Sequence, residues 1–317
     1  MSISVDFDAG VNSADADADG SRRRIWRYGL SAIGSYQDGL NVSEPDVTTP
    51  EEIAAYRAEY TGTNKGLLDS FEFWLEFRPD VLKRHKARTR HYRSAKEESF
   101  PLVGLLAAIH QYTVAGFREG IAYEIRLSQT NGATRADILD TLSVAFIHSG
   151  HPGMYAAAAY ADYLRTYEDP APVQRFPAAW SHDPDAFRSG MDFSTREATA
   201  EDIDRLTDWY RRTTGEIPPH VRFLAEHRPG LLKAYRDRYE HAIRDSLPQQ
   251  MLPYLLLHHD TVRGFGAGIR ENVLLGRALG MTREQLLDAI CSAVLHAGID
   301  ALSVAEEAAG DVLAATD

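Results

Sequence analysis

The residues best suited to chemistry in this chain are histidines and one glutamate, most of them in a stretch that occurs twice. His110 and His148 recur as His258 and His296 at a constant offset of 148 residues. Across 110–150 and 258–298, sixteen of 41 positions are identical without a gap, including Gly116-Phe117 with Gly264-Phe265 and Gly120-Ile121 with Gly268-Ile269. Glu124 follows Gly120 by four residues and Phe117 by seven, which places the three along one helical stripe. Gly120 leaves room above that stripe and Phe117 walls it. A carboxyl held against aromatic surface has its charged form disfavoured and can carry a proton near neutrality. The other reading is a Glu124 that is solvated or paired with Arg118 or Arg126. The second copy has Asn272 at this place. An amide cannot carry a proton, so if one repeat is catalytic it is expected to be the first.

The catalytic set expected from the sequence is therefore Glu124, His148 and His110. Phe117, Arg118, Gly120, His151 and His296 are expected to bind substrate, Arg118 by holding a carboxylate. His151 occurs in one copy only, since Ile299 replaces it in the other. For each recurrent histidine, a core imidazole bonded to backbone is the competing reading. A divalent metal is a further alternative. His110, Glu124, His148 and His151, or His258, His259, Asp260 and His296, offer nitrogen and oxygen ligands suited to zinc or iron. Neither set has HExxH or Glu-x-x-His spacing, and the leading expectation is chemistry without a cofactor.

The elements that must position these residues are helices. The repeat reads as one helix from about Leu102 to Asn131, a glycine stop at Gly132, and a new helix from Thr134, whose Asp137 completes a cap. Gly280, Thr282 and Gln285 repeat that pattern, and MYAAAAYADYL continues as a helix after Gly153. Upstream, Thr49-Pro50-Glu51 and Thr199-Ala200-Glu201-Asp202 mark helix starts. The segments 71–85 and 221–235 share Arg-Pro at an offset of 150. No alternating strand pattern flanked by hairpin turns is present, so the expected class is all-α. The expected organisation is a disordered tail over 1–24, a first repeat domain over 25–167, a linker over 168–194 rich in proline and acid, and a second repeat domain over 195–317. The basic run from Leu82 to Lys96 is either a cationic wall for carboxylates or a solvated helix face.

A helix ending in Gly, an immediate Thr-x-x-acid or amide start, an apolar helix through Ile138 or Leu286, and closures at HSGHPGM and HAGIDAL together resemble the carboxymuconolactone decarboxylase and alkylhydroperoxidase D-like superfamily, in tandem. The resemblance covers about 107–161 and 255–309. It implies two helical domains packed as an intrachain pseudo-dimer that can assemble further into a homo-oligomer. Peroxidase members carry Cys-x-x-Cys and a His where this chain has Phe117, Gly120 and Glu124, or Phe265, Gly268 and Asn272. Thiol peroxidase chemistry is excluded with the nucleophile gone. The decarboxylase branch keeps a His where Glu124 and Asn272 stand. It implies a lyase that decarboxylates or isomerises a small carboxylated molecule. A non-catalytic binding or scaffold protein that kept the packing and lost the chemistry is the rival class.

Composition bounds these readings. The chain has 317 residues, 44% hydrophobic and 25% charged, with a formal net charge of −12. That charge argues against nucleic acid as partner. The single cysteine, Cys291, cannot form an intramolecular disulfide and is expected to be an inert core residue. Asp15 to Gly20 begins like a calcium loop but has Trp26 where the bidentate Glu is required. Ser21-Arg22-Arg23-Arg24 lacks the continuous apolar core of an export signal. With no membrane-length apolar run, a cytoplasmic protein is expected. Glu124→Gln is expected to abolish turnover and leave the fold intact, while Asn272→Ala is mild, measured as turnover beside thermal stability.

Overall fold

The computed structural model describes residues 36–37, 39–62, 69–88 and 100–316. The tail over 1–24 and positions 89–96 of the basic run lie outside them. The regular elements of the described residues are helices, with one short antiparallel pair, β1 (Tyr36–Gln37) and β2 (Leu40–Asn41). The first half holds α1 (Pro50–Gly62), α2 (Asp69–Phe77), α3 (Pro79–Arg88), α4 (Pro101–Ala115), α5 (Arg118–Thr130), α6 (Arg135–Ser149), α7 (His151–Ala158) and α8 (Ala161–Arg165). The second holds α9 (Ala200–Thr213), α10 (Pro219–His227), α11 (Pro229–Glu240), α12 (Met251–Val262), α13 (Gly266–Ala278), α14 (Arg283–Ser292), α15 (Val294–Ala297) and α16 (Ala301–Ala314). No helix among the described residues is long and apolar enough to cross a membrane.

Several helix starts follow from local chemistry. The hydroxyls of Thr134, Thr199 and Thr282 accept from the backbone N–H three residues on. The side chains of Asp137, Asp202 and Gln285 accept from the cap residue's own N–H in return. The single helix expected from Leu102 to Asn131 is two helices. Gly116 takes a left-handed conformation with φ 71°, and Phe117 N–H bonds back to the Tyr112 carbonyl at 2.8 Å, which ends α4 and turns α5 back onto it. Gly264, with φ 62°, does the same between α12 and α13. The apolar run after Gly153 is likewise divided, into α7 and α8.

One apolar core runs through both halves, joining Ile109, Ile121 and Ile138 to Leu255, Ile269 and Leu286. At its centre α4 packs on α12, and Gln111 Oε1 lies 2.6 Å from His259 Nδ1. These two positions are counterparts at the offset of 148. A residue that touches its own counterpart marks a local two-fold axis. The segment 168–194 has no helix, yet it is strapped down: Trp180 Nε1–H donates to Gln285 Oε1 at 3.1 Å, Gln249 N–H donates to the Ser181 carbonyl at 2.8 Å, and Arg175 pairs with Asp137. Asp140 clasps the two halves, its carboxylate accepting from the backbone N–H groups of Arg244, Asp245, Ser246 and Leu247 at 2.9–3.3 Å.

The basic run differs from both expectations at Lys83, which is fully buried and bonds Glu52 Oε1 at 2.8 Å. Lys233 repeats the device with Asp202 at 2.9 Å. Each lysine thus ties α3 or α11 to the capped start of α1 or α9. Lys86 lies over the rings of Tyr56, Tyr60 and Phe71, and the exposed Arg84 pairs with Asp46.

Two outcomes follow. Lys233→Met strands a buried carboxylate and is expected to cost about 3–5 kcal/mol in urea unfolding. Burial alone would raise the Asp202 carboxyl, but the Asp192 and Thr199 N–H groups and Lys233 hold it well below the usual range. A depressed carboxyl stabilises the fold at neutral pH, and that contribution is lost as pH falls below about 4; it should vanish from the acid-unfolding curve of Lys233→Met. Asp140→Ala leaves the 244–247 turn without its acceptor and is expected to cost about 1–3 kcal/mol by the same measurement.

Candidate active site

The local two-fold axis crosses the side chains of the repeats over. His148, from the first half, faces Asp260 of the second, with Nε2 and Oδ1 3.8 Å apart. His296, the counterpart of His148, faces Tyr112, the counterpart of Asp260, with ring centroids 5.2 Å apart. Two sites result, and each takes its histidine pair from one repeat and its opposing group from the other.

The first site contains His110, His148, His259 and Asp260. The rings of His110 and His148 stack at 5.6 Å, and His259 meets them edge-on at 5.6 and 4.6 Å. Asn272 Nδ2 donates to Asp260 Oδ2 at 3.0 Å and to the Gly268 carbonyl at 3.0 Å. Gly268 is required here, because a Cβ on it would sit 2.3 Å from Asp260 Oδ2. Neither ring nitrogen of His110, nor His148 Nδ1, nor His259 Nε2 has a partner among the described residues. Buried polar atoms are normally paired, so this concentration marks a place built for another purpose.

Burial sets the charges. It raises the Asp260 carboxyl to about 7, against the opposing pull of Asn272 and Arg263. It lowers His148 to about 4 and His259 to about 3, with smaller contributions from Arg263 to both and from His148 to His259; His110 is held well below its ordinary value. The imidazoles are therefore neutral across the range in which Asp260 exchanges its proton. Arg263, exposed at the end of α12, acts on His148, His259 and Asp260 and makes no side-chain bond among the described residues. A neutral acid, neutral bases and a peripheral cation can receive a small anion and move a proton at it.

The second site contains His258, His296 and Tyr112. Glu124 is buried, and its field helps raise the Tyr112 phenol, after burial. Gly120 makes room as Gly268 does, since a Cβ there would meet the Phe117 ring at 2.4 Å and Tyr112 at 2.8 Å. The residues singled out from the sequence therefore divide. His110 and His148 belong to the first site, while Phe117, Gly120, Glu124 and His296 belong to the second. Arg118 is exposed at the start of α5, its carbonyl accepting from Tyr160, and His151 is exposed with its ring beside Tyr155. Cys291 is half-buried and its thiol is raised by burial.

Asp260 and His259 entered the sequence reading only as members of a metal set, and Arg263 did not enter it. Their signal was present as a difference between the copies: Gln111, Tyr112 and Ala115 become His259, Asp260 and Arg263. Neither sequence-derived ligand set is assembled as such, because the axis mixes them. Among the described residues, no three His, Cys, Asp or Glu side chains are arranged to hold a metal ion. Comparison with protein-family models, with curated proteins and with solved structures finds no match in any of the three.

The raised carboxyl has a measurable sign. Folded Asp260 holds its proton between about pH 4 and 7, where an unfolded Asp has lost it, so its ionisation costs stability as pH rises through that window. Asp260→Asn should abolish this loss: the difference in melting temperature between variant and parent grows from pH 4 to pH 7. A difference that stays constant with pH would mean that Asp260 titrates as an ordinary surface acid.

Proposed function

We propose that this protein is an enzyme that performs acid–base chemistry, decarboxylation or isomerisation, on a small carboxylated molecule. In this reading the chain is a tandem pair of carboxymuconolactone decarboxylase-like domains. The observation that carries it is the buried Asp260 carboxyl, 3.8 Å from His148 Nε2 and held by Asn272, with Arg263 at the periphery.

The chemistry follows from the protonation states. Arg263 receives the substrate carboxylate. In decarboxylation, the bond between the carboxylate carbon and its neighbour breaks, carbon dioxide leaves, and the electron pair stays behind as an enolate. Asp260 then protonates that carbon, and His148 steadies the enolate oxygen by a hydrogen bond. Solvent returns the proton to Asp260. In isomerisation, ionised Asp260 removes a proton beside a carbonyl and returns it to a different carbon. A positioned acid or base of this kind contributes about 10²–10⁴-fold.

Glu124 remains the acid of the first repeat, and the two carboxyls can be told apart. Turnover is sought by following a panel of small unsaturated carboxylic acids by proton NMR. With the substrate found, Asp260→Asn should lower kcat by at least about 100-fold while Arg263→Ala chiefly raises KM. The pH profile of kcat/KM should bend near pH 7 in the parent and lose that bend in Asp260→Asn. If Glu124→Gln abolishes turnover and Asp260→Asn does not, the reaction belongs to the other site. If no acid in the panel is turned over or bound, the non-catalytic reading takes its place.

A further inference from the structure

We propose that the second shared site binds a small uncharged hydrogen-bond donor, a phenol or enol, on Nε2 of His296, with His258 as the positioning residue that fixes the His296 tautomer. The site does not depend on the chemistry assigned to His148 and Asp260.

The tautomers can be followed outward from the core. Ser292 Oγ–H donates to the Ala289 carbonyl at 3.1 Å. His258 Nδ1 lies 3.0 Å from that hydroxyl oxygen and 3.3 Å from the same carbonyl. A carbonyl only accepts, so His258 Nδ1, bonded to the Ala289 carbonyl, carries the hydrogen, and the Ser292 hydroxyl oxygen accepts from it as well. His258 is buried and neutral, which leaves its Nε2 as a bare lone pair. His296 Nδ1 stands 3.2 Å away and must be the donor to it. Nε2 of His296 is then a lone pair, on a ring that is only part-buried and has no described partner at that atom.

The ring that meets His296, and the ring packed on it in turn, define the ligand. Tyr112 meets the His296 ring edge-on, and burial together with Glu124 keeps its phenol protonated, so it is a donor. Phe117 lies 5.3 Å from the Tyr112 ring and is 43% exposed, an apolar wall open to solvent. Ala115 stands where the first site has Arg263, so the cation that would draw an anion is gone. An acceptor, a donor and an aromatic wall suit a flat molecule that carries one hydroxyl. The first site, with its arginine and its acid, suits an anion.

The experiment uses the full chain with ¹⁵N,¹³C-labelled histidine, and the probes are phenol, benzoate and benzylamine. The ring-nitrogen shifts of the ligand-free protein should report His296 as the Nδ1–H tautomer, which needs no variant. Phenol should move the His296 ring signals saturably and leave those of His148 in place. Tyr112→Phe should weaken phenol about fivefold, the worth of one hydrogen bond. His258→Gln should turn His296 into a tautomer mixture, while Tyr112→Phe keeps it as Nδ1–H. An Nε2–H tautomer in the parent overturns the proposal. So does a His296 response to benzoate or benzylamine that equals or exceeds the response to phenol, or no saturable response to phenol.

Discussion

The contact between Gln111 and His259 organises the molecule. The two residues occupy the same place in their repeats, and their hydrogen bond lies where α4 crosses α12. Once equivalent residues meet on an axis, a contact between a residue of one repeat and a residue of the other recurs between their counterparts. Tyr112 is therefore carried to His296, and Asp260 to His148. Neither site could exist in one repeat alone, because each repeat contributes a histidine pair to one site and the opposing side chain to the other. The bond has a chemical effect as well. With the Gln111 carbonyl oxygen accepting from Nδ1–H, His259 presents a bare Nε2 to the first site.

The same axis lets the sites diverge without disturbing the fold. The scaffold is held by features that both copies keep: the left-handed breaks at Gly116 and Gly264, the space made by Gly120 and Gly268, and the buried lysine beneath each first helix. The chemistry sits at positions those features leave free to vary, Tyr112 against Asp260, Glu124 against Asn272 and Ala115 against Arg263. Asn272, which cannot carry a proton itself, holds the carboxyl that can, so Asn272→Ala is not the mild change that its lack of acidity suggests. Its loss of acidity relative to Glu124 is therefore no sign that the second repeat has decayed.

The helical class and several boundaries were legible because their causes are local. Thr134, Thr199 and Thr282 with an acid or amide three residues on form caps wherever they occur. The histidines and Gly120 were legible as recurrent positions. The break at Gly116 was not, because an isolated glycine within an apolar run is compatible with a continuing helix and only the left-handed geometry decides. The burial of Lys83 was hidden for a related reason. Its partner Glu52 lies 31 residues away, and a charge run looks solvated until its partner is found. The crossing of the sites was beyond reach: sequence spacing orders residues along one helix, whereas the position of a two-fold axis is set by the packing of two.

The unpaired nitrogens of the first site put a magnitude on its specialisation. A buried polar group without a partner costs on the order of 1–3 kcal/mol, and four such ring atoms lie together around His110, His148 and His259. The second site shows that the fold does not require this, since there the buried His258 is bonded at both nitrogens through Ser292, Ala289 and His296. Counterpart positions thus carry one buried imidazole bonded at both nitrogens and one bonded at neither among the described residues, and the helix that is continuous as α6 is divided into α14 and α15 in the second repeat. Ser292, whose counterpart is Val144, supplies part of the difference: with a valine in place of the hydroxyl, His110 lacks one of the two acceptors that His258 Nδ1 has, the other being the Ala289 carbonyl. Thr113 offers no substitute, because its hydroxyl is committed to the Ile109 carbonyl at 2.6 Å. An apolar residue in the helix behind the site thus helps leave His110 unbonded, and His110 stacks on the histidine that faces the raised carboxyl.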